Sequence, residues 1–201
     1  PYGRQNISEK DINAVTDVLR SDYLTQGPVS IHFEKALANF TKSKFGVSVS
    51  SATAALHIAC IALDLSSKDI VWTSPITFVA SANCAVYCGA QVDFVDIDKE
   101  TYNISVKELR KKLEAARAND KLPKILIPVH LSGQSCDMRE IYRLSIEFGF
   151  QIIEDASHAI GGKYEGEPIG NCKYSTITVF SFHPVKIIAT GEGGMCTTND
   201  P

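Results

Sequence analysis

A lysine and an aspartate stand where two predicted strands end, and their types suit the chemistry of an aldehyde cofactor. Lys186 comes shortly after the β-rich run 175–182, and Asp155 follows the apolar run 150–153. A lysine amine can form a Schiff base with the aldehyde of pyridoxal 5'-phosphate, and an aspartate can keep the pyridine nitrogen protonated so that the ring accepts electrons. The pair therefore favours a pyridoxal phosphate site, although Lys186 alone could be a surface lysine and Asp155 alone a cap for the next turn.

A turn of small residues, 50–56, could hold the phosphate of such a cofactor. Small side chains such as Ala52 let an anion approach the backbone, and the N-terminus of the following helix offers free N–H groups and a favourable dipole. Thr53 adds a hydroxyl donor, and Ser181 could add another from a later strand. The alternative is an ordinary helix N-cap. The turn is not a P-loop, because no Gly-Lys-Ser/Thr follows it.

Other residues near the predicted strand ends have both a functional and a structural interpretation. Phe78 opens a helix and could stack on a cofactor ring or pack in the core. His158 could lie over the cofactor, steady Asp155 or serve only the fold. His183 could shape the site, and the glycine-rich segment 191–194 could be no more than a turn.

Apolar periodicity predicts two N-terminal helices and then alternating strands and helices. The first helix is capped by Ser8 and has an apolar face of Ile12, Val15, Val18 and Leu19. The second is expected to bury Phe33, Leu37 and Phe40. The predicted strands are 47–49, 70–73, 92–95, 125–129, 152–153, 176–182 and 195–198, and the later helices are 53–63, 78–87, 105–116 and 138–148. This alternation predicts an α/β fold with a mostly parallel sheet and helices on both faces. Ligands bind outside the carboxyl ends of such strands, where His130 is also expected.

Composition limits the classes of function. The 201 residues carry a net charge of −3, which gives no basic footprint for nucleic acid. No apolar run approaches the roughly 20 residues of a membrane span, and the first residues do not resemble a signal peptide. The chain starts without Met and stops after a predicted strand, so we expect it to be part of a longer protein. We expect the six cysteines to be buried thiols in a reducing cytoplasm rather than metal ligands, although Cys84 and Cys88 share a helical face.

The motifs together resemble those of the DegT/DnrJ/EryC1/StrS family of sugar aminotransferases, and the resemblance covers essentially the whole chain. The segments that carry it are 24–28, 51–56, 154–159, 181–186 and 191–194. It implies the type I pyridoxal phosphate fold, a three-layer large domain with a seven-stranded sheet. Residues 1–201 would then be an N-terminal segment and the large domain, and a smaller C-terminal domain would lie outside this chain.

The resemblance also implies roles for individual residues. Lys186 would carry pyridoxal 5'-phosphate and Asp155 would bind its pyridine nitrogen. The residues it places around the cofactor are Lys186, Asp155, Ala52, Thr53, Phe78, Ser181, His158 and Gln134. Among these, Phe78 would stack on the ring, while Ala52, Thr53 and Ser181 would hold the phosphate.

In this family two subunits of a homodimer share the active site. Members with histidine in place of the lysine are sugar dehydratases, so Lys186 implies transamination. The sequence of residues 183–194 looks most like that of the pseudaminic acid branch of the family. Enzymes of this branch use glutamate to aminate a UDP-linked 4-keto-6-deoxy sugar. Two alternatives remain: the amination of another nucleotide sugar, and a non-catalytic sugar-nucleotide-binding regulator on the same scaffold.

Overall fold

Seven strands form one sheet in the computed structural model, which describes residues 4–201. In chain order the strands are β1 (Phe45–Val49), β2 (Ile70–Thr73), β3 (Gln91–Phe94), β4 (Ile125–Ile127), β5 (Gln151–Asp155), β6 (Lys163–Tyr164), β7 (Glu167–Pro168), β8 (Ile177–Ser181) and β9 (Gly194–Thr198). The spatial order in the sheet is β1-β9-β8-β5-β4-β2-β3, and β6 and β7 form a separate hairpin.

Five neighbouring strands of this sheet, from β8 to β3, are parallel. Strand β9 runs antiparallel to both of its neighbours, β1 and β8. The mostly parallel, seven-stranded sheet expected from the sequence is therefore confirmed. Because parallel strands end at the same edge, β5 and β8 bring Asp155 and the segment after Ser181 together.

The part of the chain that the structure describes contains six α-helices, and four of them cover the two faces of the sheet. They are α1 (Glu9–Leu19), α2 (Pro28–Thr41), α3 (Ala52–Ala62), α4 (Ala80–Tyr87), α5 (Val106–Ala118) and α6 (Met138–Phe148). One core layer joins α3 and α4 to the sheet, and the other joins α5 and α6 to it. Alternate residues of β4 face opposite layers: Ile125 and Ile127 belong to the first, and Leu126 to the second. The three-layer α/β architecture is thus confirmed.

Two expectations about the helices were wrong in detail. Leu37 of α2 is buried and Phe33 packs partly against the core, but Phe40 is 58% exposed. The buried side of α2 is centred between Leu37 and Thr41, and Phe40 projects to one side of it. Helix α4 begins at Ala80 rather than at Phe78, because the residues before it form a turn.

The predicted helix capped by Ser8 is present as α1, where Ser8 and Asp11 form a capping box. Its apolar residues Ile12, Val15 and Leu19 are exposed. Within residues 4–201, no helix is long and apolar enough to cross a membrane. The same residues contain no cluster of three or more acidic, histidine or cysteine side chains that could hold a metal ion.

Candidate active site

The N-terminus of α3 forms one end of a cavity at the carboxyl edge of the sheet. Ser51 is the N-cap, and its hydroxyl accepts a hydrogen bond of 3.1 Å from the amide of Ala54. Among the described residues, no protein acceptor lies within hydrogen-bond range of the amides of Ala52 and Thr53. The turn is therefore an N-cap, and its first amides remain available to an anion.

Strand β9 starts directly against this turn. A Cβ atom at Gly194 would lie 2.4 Å from the carbonyl carbon of Ser51 and 2.5 Å from the nitrogen of Ala52. Only a residue without a side chain lets β9 approach so closely. Gly191, with a φ of +80°, supplies the left-handed turn that precedes the strand. The glycine-rich segment is thus a turn that also packs against the N-terminus of α3.

The carboxylate of Asp155 is buried at the end of β5, with 4% of the residue exposed. Its Oδ2 accepts a hydrogen bond of 2.6 Å from the hydroxyl of Ser81, and its Oδ1 accepts one of 3.1 Å from the amide of Ser157. One oxygen therefore caps the turn that follows β5, and the other is held by α4. Both interactions fix the plane of a carboxylate that lines the cavity.

Lys186 lies on the loop between β8 and β9 and is half-buried in the same cavity. Burial lowers the pKa of its amine, and the nearby charge of Asp155 opposes that shift. Its backbone amide donates to the carbonyl of His183 at 2.9 Å. The side-chain amide of Gln5 donates to the carbonyl oxygens of Pro184 and Lys186, at 2.5 and 2.7 Å. The N-terminal segment therefore holds the loop that carries the lysine.

His158 borders the cavity as a neutral ring. Its Nδ1 accepts a hydrogen bond of 3.2 Å from the amide of Ser132, so the ring hydrogen is on Nε2. Burial lowers the pKa of His158, the charge of Lys186 lowers it further, and Asp155 opposes the shift. A neutral imidazole can lie against a flat ligand without adding charge to the site.

The cavity has a volume of about 250 Å³ and brings together all but one of the residues expected around a cofactor. Those that line it are Ala52, Thr53, Phe78, Asp155, His158, Ser181 and Lys186. Phe78 is 69% exposed, which excludes core packing as its role. His183 also lines the cavity, and its Nε2 lies 3.7 Å from a carboxylate oxygen of Glu192.

Two residues expected near the site do not line the cavity. Gln134 is exposed, its carbonyl accepts a hydrogen bond from the side chain of Asn103, and it is not part of the cavity lining. His130 is fully buried, and its Nε2 lies 2.7 Å from a carboxylate oxygen of Glu154. That pair belongs to the core beside β5 and not to the cavity.

Sequence reasoning missed several residues that shape the site. Ser81 and Thr77 are linked to Asp155 by hydroxyl hydrogen bonds, and Gln5 fastens the loop of Lys186. The spacing of four residues between Thr77 and Ser81 is a helical signal, but hydroxyl pairs of this kind are common. The bond from Gln5 spans 181 positions, so no local pattern indicates it.

The model of the DegT/DnrJ/EryC1/StrS aminotransferase family matches residues 5–201. A Campylobacter jejuni protein named UDP-4-amino-4,6-dideoxy-N-acetyl-beta-L-altrosamine transaminase is 40% identical over 99% of this chain and 51% of its own length. A Shewanella sediminis protein named UDP-4-amino-4-deoxy-L-arabinose–oxoglutarate aminotransferase is 39% identical over 100% of this chain and 49% of its own. The chain thus spans about half the length of the curated relatives it matches.

Solved structures show the same fold. Helicobacter pylori PseC, an aminotransferase involved in the biosynthesis of pseudoaminic acid, is 33% identical with a TM-score of 0.91, over 100% of this chain and 52% of that one. Spr1654 of Streptococcus pneumoniae, solved in a PLP form, is 30% identical with a TM-score of 0.88, over 100% of this chain and 53% of that one. These likenesses confirm the type I fold and pyridoxal phosphate as the cofactor of the family.

Proposed function

Because the chain belongs to the DegT/DnrJ/EryC1/StrS aminotransferase family, we propose that its full-length protein moves an amino group from glutamate to C4 of a UDP-linked 4-keto-6-deoxy-N-acetylhexosamine. The observation that carries the proposal is the cavity that joins Lys186, Asp155 and the N-terminus of α3. An amine, a buried carboxylate and an anion site on rigid elements around one small space are what a pyridoxal phosphate site requires.

The residues present fit the cofactor at each of its functional groups. The amides of Ala52 and Thr53, with the hydroxyl of Ser181, suit the phosphate. The exposed ring of Phe78 suits stacking on the pyridine ring. Asp155 suits the ring nitrogen. When bound, the cofactor supplies an electron-accepting ring conjugated to the amino group that is transferred.

Lys186 has two tasks in this proposal. Its amine anchors the cofactor, and its lowered pKa favours the neutral form that can do so. As a free amine, Lys186 would act as a general base that takes the proton from the α-carbon of glutamate. In the second half of the reaction the same amine returns a proton to C4 of the sugar. Asp155 stays in place throughout and holds the proton on the ring nitrogen.

The preference for a pseudaminic-type sugar is supported by the sequence of residues 183–194 and by the names of two relatives. The amination of a 4-keto pentose nucleotide is the second candidate, because the relative named for that sugar is 39% identical against 40%. One percentage point does not separate the two sugars. A lysine that reaches only one face of the sugar favours a single C4 epimer in either case.

We further propose that the protein is a homodimer whose subunits share the site. Exposed apolar side chains line the cavity and the groove that adjoins it, including Phe78 at 69%, Val185 at 52% and Ile187 at 63% exposure. Such a patch suits coverage by another protein surface. Residues 1–201 would form the N-terminal segment and the large domain, with a smaller domain in the rest of the protein. The six free thiols suit a cytoplasmic location.

A panel of acceptor sugars tests the proposal. Full-length protein with pyridoxal phosphate and glutamate is mixed separately with the L-altro and D-gluco 4-keto-6-deoxy UDP-sugars and with the 4-keto pentose nucleotide, and NMR identifies the products. We expect one amino epimer from the L-altro substrate. Amination of only one of the other sugars would overturn the branch assignment. Formation of 2-oxoglutarate without amination of any sugar would refute the proposal that a nucleotide sugar is the acceptor. Absence of any turnover of glutamate would favour the alternative of a non-catalytic sugar-nucleotide-binding regulator.

A further inference from the structure

A chain of two hydroxyl groups leads from the mouth of the cavity to the buried aspartate. The hydroxyl oxygens of Thr77 and Ser81 are 2.7 Å apart, and the hydroxyl of Ser81 lies 2.6 Å from Oδ2 of Asp155. Ser81 is fully buried, with 0% of the residue exposed, so water does not compete for its hydroxyl. Thr77 is half-buried and lines the cavity.

The chemistry of the three groups fixes the direction of both hydrogen bonds. A carboxylate only accepts, so Ser81 donates its single hydroxyl hydrogen to Asp155. Ser81 then has no hydrogen left for Thr77, and Thr77 must donate to Ser81. Successive hydroxyl donors polarise one another, and a hydrogen bond that ends on a charged acceptor is stronger than a neutral one.

The chain also links the two residues that we assign to the cofactor ring. Thr77 directly precedes Phe78, and the amide of Ser81 donates to the carbonyl of Phe78 at 3.1 Å. The turn that presents Phe78 therefore also holds one oxygen of Asp155. The other oxygen is held from the opposite side by the amide of Ser157.

We propose that Thr77 and Ser81 are positioning residues that orient the Asp155 carboxylate towards the ring nitrogen of pyridoxal phosphate. This inference rests on the proposed function and adds two residues to it. Without Ser81, one oxygen of Asp155 would lose its partner, and the carboxylate could rotate away from the nitrogen. Thr77 contacts Asp155 only through Ser81, so loss of its hydroxyl should change the orientation of the carboxylate in the same direction and by less.

Four variants of the full-length protein separate the hydroxyl groups from the shape of the side chains. Ser81→Ala removes the donor to Asp155. Thr77→Val keeps the shape of threonine and removes its hydroxyl, whereas Thr77→Ser keeps the hydroxyl and removes a methyl group. Ser145→Ala is the matched control, because Ser145 is also a buried helical serine but bonds to the carbonyl of Tyr142, far from the cavity. Thr77→Val keeps the test open if Ser81→Ala does not fold.

The readouts are the absorption spectrum of bound pyridoxal phosphate across pH, and kcat and KM for glutamate. For Ser81→Ala we expect kcat to fall about tenfold, the scale of one hydrogen bond to a charged group, with KM nearly constant. The spectrum should change in the same direction as in Asp155→Asn. Thr77→Val should give a smaller change, and Thr77→Ser and Ser145→Ala the wild-type spectrum.

Two results would overturn the inference. One is a wild-type spectrum and kcat in both Ser81→Ala and Thr77→Val while Asp155→Asn is altered, which would leave the proposed function intact. The other is an equal change in Thr77→Ser and Thr77→Val, which would assign the effect to packing. If the wild-type protein bound no pyridoxal phosphate at all, the proposed function and this inference would fail together.

Discussion

Gly194 lies so close to Ala52 that a Cβ atom at position 194 would stand 2.5 Å from the amide nitrogen of Ala52. Real Cβ contacts are longer than this, so any side chain at position 194 must push β9 away from the start of α3. The amides of Ala52 and Thr53, which we assign to the cofactor phosphate, lie at that contact.

We therefore expect Gly194→Ala to weaken binding of pyridoxal phosphate by about tenfold or more, the scale of one lost hydrogen bond to a charged group. Titration of the apo protein, followed by absorbance, gives the dissociation constant. Gly166→Ala is the control for a destabilising glycine substitution outside the cavity, because Gly166 has a φ of +82°, has open space around it and does not line the cavity. Equal losses of affinity in both variants would contradict the assignment of the phosphate site.

The carboxylate of Asp155 is expected to be needed for catalysis and not for folding. Asp155→Asn keeps the size of the side chain, and an amide cannot hold a proton on the ring nitrogen as a carboxylate does. We expect kcat to fall by about 100-fold or more, as for other preorganised charges, with a nearly unchanged thermal midpoint. A kcat close to that of the wild type would reduce Asp155 to the cap of its turn.

The lowered pKa of Lys186 predicts a particular pH dependence. The neutral amine is the reactive form, and a lowered pKa means that its fraction at a given pH exceeds that of an exposed lysine. Capture of pyridoxal phosphate by the apo protein should therefore accelerate as the pH rises above 7, and level off below the ordinary lysine value of about 10.4. Stopped-flow absorbance measures this rate. A rate that kept rising up to that value would contradict the lowered pKa of Lys186.

Much of the fold could be predicted from the sequence because its signals are local. The apolar run 150–153 before Asp155, the small-residue turn at Ala52 and the periodicity of α6 each depend on neighbours in the chain. The parallel edge then brings Asp155 and Lys186 together by topology alone. The family resemblance then chose between the alternatives left open for Phe78 and Ser181, assigning the first to the cofactor ring and the second to its phosphate.

What escaped prediction depends on contacts between distant residues. Ser81 meets Asp155 across 74 positions, and Gln5 meets the loop of Lys186 across 181. The exposure of Phe40 follows from which side of α2 packs on the sheet, and periodicity does not distinguish a buried phenylalanine from one at the border of the buried side. The resemblance placed Gln134 near the cofactor, but the residue is exposed and lies outside the cavity lining. Its backbone carbonyl accepts a hydrogen bond from the side chain of Asn103.

The most direct test of the central claim is reduction of the full-length protein with borohydride in the presence of pyridoxal phosphate, followed by peptide mass spectrometry. The account predicts that one peptide, the one containing Lys186, gains the mass of the reduced cofactor. Lys186→Ala should remove the label and essentially all turnover, and Lys173→Ala, a change at an exposed lysine outside the cavity, should remove neither. Labelling of a different lysine, or of none, would contradict the account.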